Sequence, residues 1–324
     1  MKLSVNLSKP GDFITDDNND APILIVRNDP GHVNAFVNSC RHRGARLADG
    51  IGHVARNFMC PYHAWSYDKM GHFVHAPSIE SFAGFDFDSC RLTPLGIAER
   101  DGLIWVRPGT SQTIDIENHL AGLESELANF NLDTYHQYET RDIECHMNWK
   151  AIVDTFLEAY HFAPLHKETV GPLFFSNLCL MDTFGRNLRE TLPRRSIIEL
   201  KSQPEKNWDL IFHSAIVYVL FPNTVFVMQR DHVEIWRCFP VGNDPSRSRV
   251  QLSFYTPEPA TTKEARLHWE KNIDLTVRTV LEEDFQISKG AQKNFSAEPA
   301  GHVIYGKNEP ALAHFQRSVT AAIE

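Results

Sequence analysis

Short apolar runs separated by turn signals fill the first hundred residues of this 324-residue chain. Pro22-Ile23-Leu24-Ile25-Val26 predicts a strand, Asp29-Pro30-Gly31 a turn and Val33 to Val37 the returning strand. Asp101-Gly102 predicts another tight turn before Leu103-Ile104-Trp105-Val106, and Arg107-Pro108-Gly109 ends that strand. Runs so short and so regularly interrupted imply a small antiparallel β domain over residues 1–108.

The pattern changes after Gly109. Leu120, Leu123 and Leu127 recur at helical spacing within Asn118 to Asn129, and Trp149 to Phe162 reads as a second helix. Strands are predicted near 210–220, 225–229, 232–241 and 249–256. Thr261 to Gln292 holds no proline and a single late glycine, Gly290, which predicts one long helix. Residues 109–324 therefore read as an α+β domain, a curved antiparallel sheet with the long helix laid across it. No repeat or low-complexity segment interrupts either part.

Composition narrows the function classes. A hydrophobic fraction of 42% and an aromatic fraction of 11% describe a globular protein with room for two cores. A net charge of −9 argues against a nucleic-acid partner. Ala215 to Met228, the longest apolar strip, is broken by Pro222 and Asn223 and is too short to span a bilayer. Met1 to Val5 lacks the apolar stretch of a signal peptide. Cys90, Cys145, Cys179 and Cys238 are scattered, which suits buried thiols in a reducing compartment. The expectation is a soluble cytoplasmic protein.

Two short motifs carry the chemistry. Cys40-Arg41-His42 is followed, after seventeen residues, by Cys60-Pro61-Tyr62-His63. Two thiolates and two imidazoles from two loops suit a [2Fe–2S] centre in which two His replace two Cys on one iron and raise its potential. A structural zinc takes the same four donor types, although zinc fingers usually pair Cys with Cys and His with His. The second motif begins near Trp149. Asp154, Glu158 and His161 follow at helical intervals, which predicts one shared face, and Pro164 must bend or end the helix so that His166 can swing back. Two His with one carboxylate form the facial triad of non-haem Fe(II) oxygenases. Glu282-Glu283-Asp284 on the long helix offers the third ligand, with Asp284 chosen and Glu283 the alternative.

Taken together, Cys40-x-His42, Cys60-x₂-His63, Asn148-Trp149-Lys150, Asp154-x₃-Glu158-x₂-His161-x₄-His166, Phe221-Pro222-Asn223 and Glu283-Asp284…Gln292 resemble the Rieske non-haem iron ring-hydroxylating oxygenases, α subunit, over nearly the whole chain. Ala45 and Tyr62 stand where cytochrome-complex Rieske proteins carry disulfide-forming cysteines, which favours the oxygenase branch. The resemblance implies a Rieske domain, a helix-grip catalytic domain, a [2Fe–2S] cluster and a mononuclear Fe(II). It implies a head-to-tail homotrimer supplied with electrons by a reductase, with or without a ferredoxin, and acting on O₂ and a small substrate. It makes Glu158 the acid bridging a cluster His to an iron His across subunits, where many members have Asp; Asp154 is the second candidate catalytic acid. The chain also starts closer to the first Rieske strand than is common in that family.

An aromatic substrate follows from the family alone, since hydroxylation, dihydroxylation and oxidative demethylation share the same iron ligands. Phe174, Phe175, Asn177, Met181, Phe212, Tyr218 and Phe226 are candidate pocket residues, suited to a flat ring or to a quaternary ammonium held by cation–π contacts. Arg186, Arg189, Arg194 and Arg195 are candidate carboxylate anchors. Two rival readings stay open: a Rieske electron-transfer protein whose second domain docks partners, and a zinc-stabilised binding module.

Overall fold

A computed structural model describes residues 2–18, 21–297 and 302–324. The chain forms two compact units. The first runs to His119 and takes in Leu123–Thr134; the second comprises Leu120–Gly122 and Tyr135–Glu324.

The first unit is built from three small sheets. Val33–Val37, Ile23–Arg27, Asp12–Asp16 and Ile51–His53 lie side by side in one, in that order. Leu103–Arg107 is flanked by Lys2–Leu3 and Gly96–Arg100 in the second, and Phe58–Met59, Ser66–Tyr67 and Phe73–His75 make the third. The predicted strands at residues 22–26, 33–37 and 103–106 are all present within a residue of their expected ends. The stretch from Asn118 to Asn129 is two short helices, Ile116–Leu120 and Glu124–Ala128. Ala121 and Gly122 take left-handed φ of 54° and 101° between them, which a continuous helix does not allow. Leu120, Leu123 and Leu127 are all fully buried regardless, so the apolar spacing reported burial correctly and continuity wrongly.

The second unit is organised by a seven-stranded antiparallel sheet. Leu180–Phe184, Asn187–Pro193, Ser214–Leu220, Thr224–Met228, Val233–Val241 and Asp244–Thr256 form a meander, and His136–Cys145 closes the edge beside the last of them. Alternation along these strands sends Val217, Val227, Trp236 and Leu252 into the main core and Tyr218 and Phe226 to the other face. Against the inner face pack the helix Trp149–Asp154, the C-terminal helix Pro310–Ile323 and the helical run that begins at Lys263. That run is longer and less regular than predicted. Lys263–Val277 is α-helical, Arg278–Asp284 is a π-helical segment, and Phe285–Ala297 is α-helical again. Asn148 caps the helix it precedes through Lys150 N–H, and its own N–H donates to Gln292 Oε1 at 2.9 Å, tying that helix start to the long run.

Among the described residues no helix is long and apolar enough to cross a membrane. None of the six cysteines forms a disulfide, and all but Cys179 are buried.

Candidate metal centres

The two Cys-His loops fold alike. In each, the cysteine N–H donates to the carbonyl five residues on, Cys40 to Ala45 and Cys60 to Trp65, both at 2.8 Å. The cysteine carbonyl accepts from the N–H four residues on, Gly44 at 2.9 Å and Ala64 at 3.0 Å. That fourth residue is left-handed in both loops, with φ of 76° at Gly44 and 57° at Ala64. Glycine takes the conformation without steric cost, whereas Ala64 is held there by the paired hydrogen bonds. The His42 and His63 rings approach to 4.6 Å between centroids at 70°, and His42 stacks flat on Trp65 at 4.8 Å.

The Nδ1 atoms of His42 and His63 are buried and make no hydrogen bond. Burial and the neighbouring His63 and Arg43 lower the His42 pKa, which favours the neutral ring. Cys40 Sγ lies 3.4 Å from Tyr67 Oη, which also accepts from Arg41 N–H at 3.0 Å. Two buried thiols and two orphaned imidazole nitrogens fit a Rieske cluster. Zinc would require the four donors to converge on one point. Among the described residues the only trio gathered tightly enough for one ion lies elsewhere, and these four side chains do not supply another.

That trio is His161, His166 and Asp284, with one donor atom from each within 4.8 Å of the others. The predicted helix from Trp149 to Phe162 ends at Asp154, so the shared helical face proposed for Asp154, Glu158 and His161 does not exist. His161 and His166 instead cap the two ends of the one-turn helix Phe162–Leu165, and their rings lie 4.8 Å apart. Pro164 sits in the first turn of that helix, where its missing N–H goes unused, so it causes no bend. Gly171 packs where any Cβ would come within 2.5 Å of the His166 carbonyl, and its N–H donates to that carbonyl at 2.9 Å.

Asp284 comes from the last residue of the π-helical segment and is buried. Its Oδ1 lies 3.2 Å from His166 Nε2 and 3.5 Å from His161 Nε2, and the latter nitrogen makes no hydrogen bond. Both outer nitrogens meet carboxylates. Glu158 pairs with His161 Nδ1, and Glu283 Oε2 lies 2.6 Å from His166 Nδ1 while accepting from Thr169 Oγ1 at 2.7 Å. Carboxylates behind the rings are the usual support of metal-bound His. Burial alone would lower the His166 pKa, but contact with Asp284 and Glu283 outweighs it. Burial raises Glu158 less than His161 and the Tyr160 and His161 N–H groups lower it, so that carboxyl stays ionised. Asp154 is not part of the trio, and burial pushes its carboxyl to about 7.

The trio lines a cavity of about 360 Å³. Phe156, Phe162, Phe174, Leu192, Val217 and Val227 make up much of its apolar wall, while Arg194, Asp231, His232, Glu234 and His268 contribute polar groups. Of the seven predicted pocket residues only Phe174 lines it. Tyr218 and Phe226 alternate with the lining residues Val217 and Val227 and so face away. Phe212 lies beneath Arg230, Phe175 beneath Arg195, Asn177 bonds Asn308, and Met181 belongs to the edge strand. Of the four candidate arginines, Arg186 donates to the Ala321 carbonyl and Arg189 pairs with Asp182; Arg194 alone lines the cavity. His232 and Glu234 escape sequence reasoning because both fall inside the predicted strand at 232–241. Charged residues at inward positions of an otherwise apolar strand were the available signal.

Residues 132–324 match the family described as ring hydroxylating alpha subunit (catalytic domain), and residues 3–86 match the Rieske [2Fe-2S] domain. The carnitine monooxygenase oxygenase subunit of Escherichia coli K12 is 26% identical over 96% of this chain and 83% of its own length. The glycine betaine monooxygenase oxygenase subunit of Chromohalobacter salexigens is 30% identical over 53% of this chain and 38% of its own. A crystal structure of the quaternary ammonium Rieske monooxygenase CntA superposes with a TM-score of 0.84 at 22% identity, covering 99% of this chain and 87% of that one.

Proposed function

We infer the reaction of this chain from the family it belongs to, the ring-hydroxylating α subunits, whose catalytic domain it joins to a Rieske [2Fe–2S] domain. It is an enzyme, the terminal oxygenase of a Rieske system, which takes electrons from a separate reductase and acts with O₂ on a small substrate. Its substrate is a quaternary ammonium compound, and the carbon oxidised is one bonded to the charged nitrogen. The observation that carries this reading is the His161/His166/Asp284 trio set into the wall of a mainly apolar, aromatic-lined cavity. Relatives named for carnitine and glycine betaine support the choice of substrate. Phe156, Phe162 and Phe174 offer ring surface to N-methyl groups.

Cys40, His42, Cys60 and His63 would hold the cluster, and His161, His166 and Asp284 would hold the mononuclear iron. When bound, these groups store electrons and activate oxygen. Glu158 fixes the His161 ring through Nδ1 and offers a hydrogen-bonded approach for the electron, carried between subunits of a homotrimer. Glu283 does the equivalent positioning for His166. One oxygen atom enters a C–H bond beside the nitrogen; the other leaves as water with two protons and two reductase-derived electrons. The resulting carbinol then loses its hydroxyl proton, the C–N electron pair returns to nitrogen, and a tertiary amine and an aldehyde separate. With trimethylammonium substrates, amine and aldehyde should appear in equal amounts, one of each per O₂ consumed in coupled turnover. Production of a ring diol from neutral aromatics, with no amine released from any ammonium compound, would refute the assignment.

The cluster ligands have their own test. His63→Cys should still assemble a [2Fe–2S] centre but lower its potential by on the order of 100 mV, because thiolate donates more charge than imidazole. Spectroelectrochemistry reads the shift, and an unchanged potential would remove His63 from the ligand set.

A further inference from the structure

The polar part of the cavity is a hydrogen-bonded chain of acids and histidines that leaves one cation without a carboxylate contact. His268 Nε2 lies 2.7 Å from Asp231 Oδ2, and His232 Nδ1 lies 2.9 Å from Asp231 Oδ1. His232 Nε2 then reaches Glu234 Oε1 at 3.3 Å, and Glu234 also accepts from Trp236 Nε1 and Thr276 Oγ1, both at 3.0 Å. Both acids of the cavity's polar part are thus engaged by histidines and neutral donors.

Arg194 has no such partner. Its Nη2 donates to Gln229 Oε1 at 2.7 Å and its Nε to the Ser214 carbonyl at 3.4 Å, both neutral acceptors. Its Nη1 donates to no described protein atom. The guanidinium is half-buried and stacks on Phe174, its carbon 4.5 Å from the ring centroid. Gln229 also reaches Glu234 through Nε2, at 3.4 Å, and so stands as a neutral spacer between the acid and the arginine. Arg230 lines the same cavity from an exposed position, lies over Phe212, and has no hydrogen-bond or ion-pair partner among the described residues. Burial and the nearby Arg230 both lower the Arg194 pKa, against Asp231 and Glu234. A half-buried guanidinium beside a second cation, with the local acids already engaged, is a charge awaiting an anion.

We propose that Arg194, assisted by Arg230, binds a carboxylate of the substrate, so that this oxygenase selects molecules carrying a carboxylate several bonds from the carbon it oxidises. The spacing follows from the fold. Thr276, which touches Glu234, and Asp284 lie eight residues apart on one helical run, about two turns. Phe174 and Phe162 bridge the interval, with Arg194 on Phe174, Phe174 against Phe162 at 5.8 Å, and Phe162 against His166 at 5.5 Å. A substrate anchored at the guanidinium would lie along these two rings with its other end at the iron ligands. This inference rests on the reading of the cavity as the substrate site, and it does not depend on the ammonium group.

Calorimetric titration of the metal-loaded enzyme, without reductase so that nothing turns over, tests it. The probes are γ-trimethylammoniobutyrate and its methyl ester, then benzoate and methyl benzoate. At least one acid should bind about 10- to 100-fold more tightly than its ester, the scale of a hydrogen-bonded charge pair. Arg194→Gln should bring that acid down to its ester's affinity, and Arg194→Lys should restore part of the difference. Cluster spectrum and iron content of the variants report that they remain folded. Preference for the aliphatic acid supports both the anchor and the ammonium reading; preference for benzoate alone supports the anchor and overturns the ammonium reading. Equal binding of acid and ester to the wild type, no acid binding, or an equal loss of acid and ester in Arg194→Gln would each overturn the anchor.

Discussion

Asp284→Ala should abolish mononuclear iron binding and product formation together while leaving the visible spectrum of the cluster unchanged. The substitution removes the only carboxylate oxygen among the described residues that faces both His161 Nε2 and His166 Nε2. What remains is two imidazoles, too few donors and no coordinating carboxylate to hold a divalent ion in a buried wall. Glu283→Ala is the informative contrast. Glu283 touches His166 on the far side of the ring and is braced by Thr169. Its loss frees the orientation of one ligand, which typically costs about 10- to 100-fold in metal affinity or activity. Iron analysis on purified protein, with O₂-dependent product formation alongside, separates the two variants. Should Glu283→Ala lose all iron while Asp284→Ala keeps it, the third ligand is assigned to the wrong neighbour.

That pair shows what the chain discloses before it is folded and what it withholds. The sequence offers three adjacent acids, and an ideal helix turns by about 100° per residue, so only one can face a given point. Periodicity does not say which one, because a π-helical segment ending at Asp284 alters the phase of that face. A similar limit applies around Glu158. Spacing suggested a helix through His161, but the Glu158 carboxylate accepts from the Tyr160 and His161 N–H groups, side-chain bonds that compete with continued helix. The cluster loops were more legible, since their Cys and His are local in sequence and each loop is closed by its own backbone. The polar part of the cavity was the least legible. Arg194, Glu234, His268 and the His161/His166/Asp284 trio are distant in sequence, and the meander and the helical run bring them to one cavity.

Glu158→Gln should leave both metals bound and slow the passage of electrons between them. The change conserves length but removes the negative charge opposite His161 Nδ1 and replaces one acceptor oxygen with a donor. Two outcomes of that swap work against the native arrangement. An amide turned with its NH₂ toward the ring loses the bond to His161, whereas one turned with its oxygen there gives up acceptance from the Tyr160 and His161 N–H groups. Either way the ring that faces the iron site is held less firmly and by a weaker, uncharged bond. Reduction of the cluster by its reductase should not run through this contact and should stay near the wild-type rate. Cluster reoxidation on mixing with O₂ and substrate should slow by roughly 10- to 100-fold, the range expected when a carboxylate behind a ligand His is lost. Stopped-flow absorbance follows both steps in one preparation. An unchanged reoxidation rate with full product yield would make Glu158 a cap for the short helix and nothing more. Mixing subunits of Cys60→Ser, which cannot build the cluster, with subunits of Asp284→Ala, which cannot hold the iron, locates the path. Transfer between subunits predicts recovered turnover in the mixture, because one subunit's intact cluster then serves its neighbour's intact iron site; transfer confined to one chain predicts a mixture as inactive as its parts.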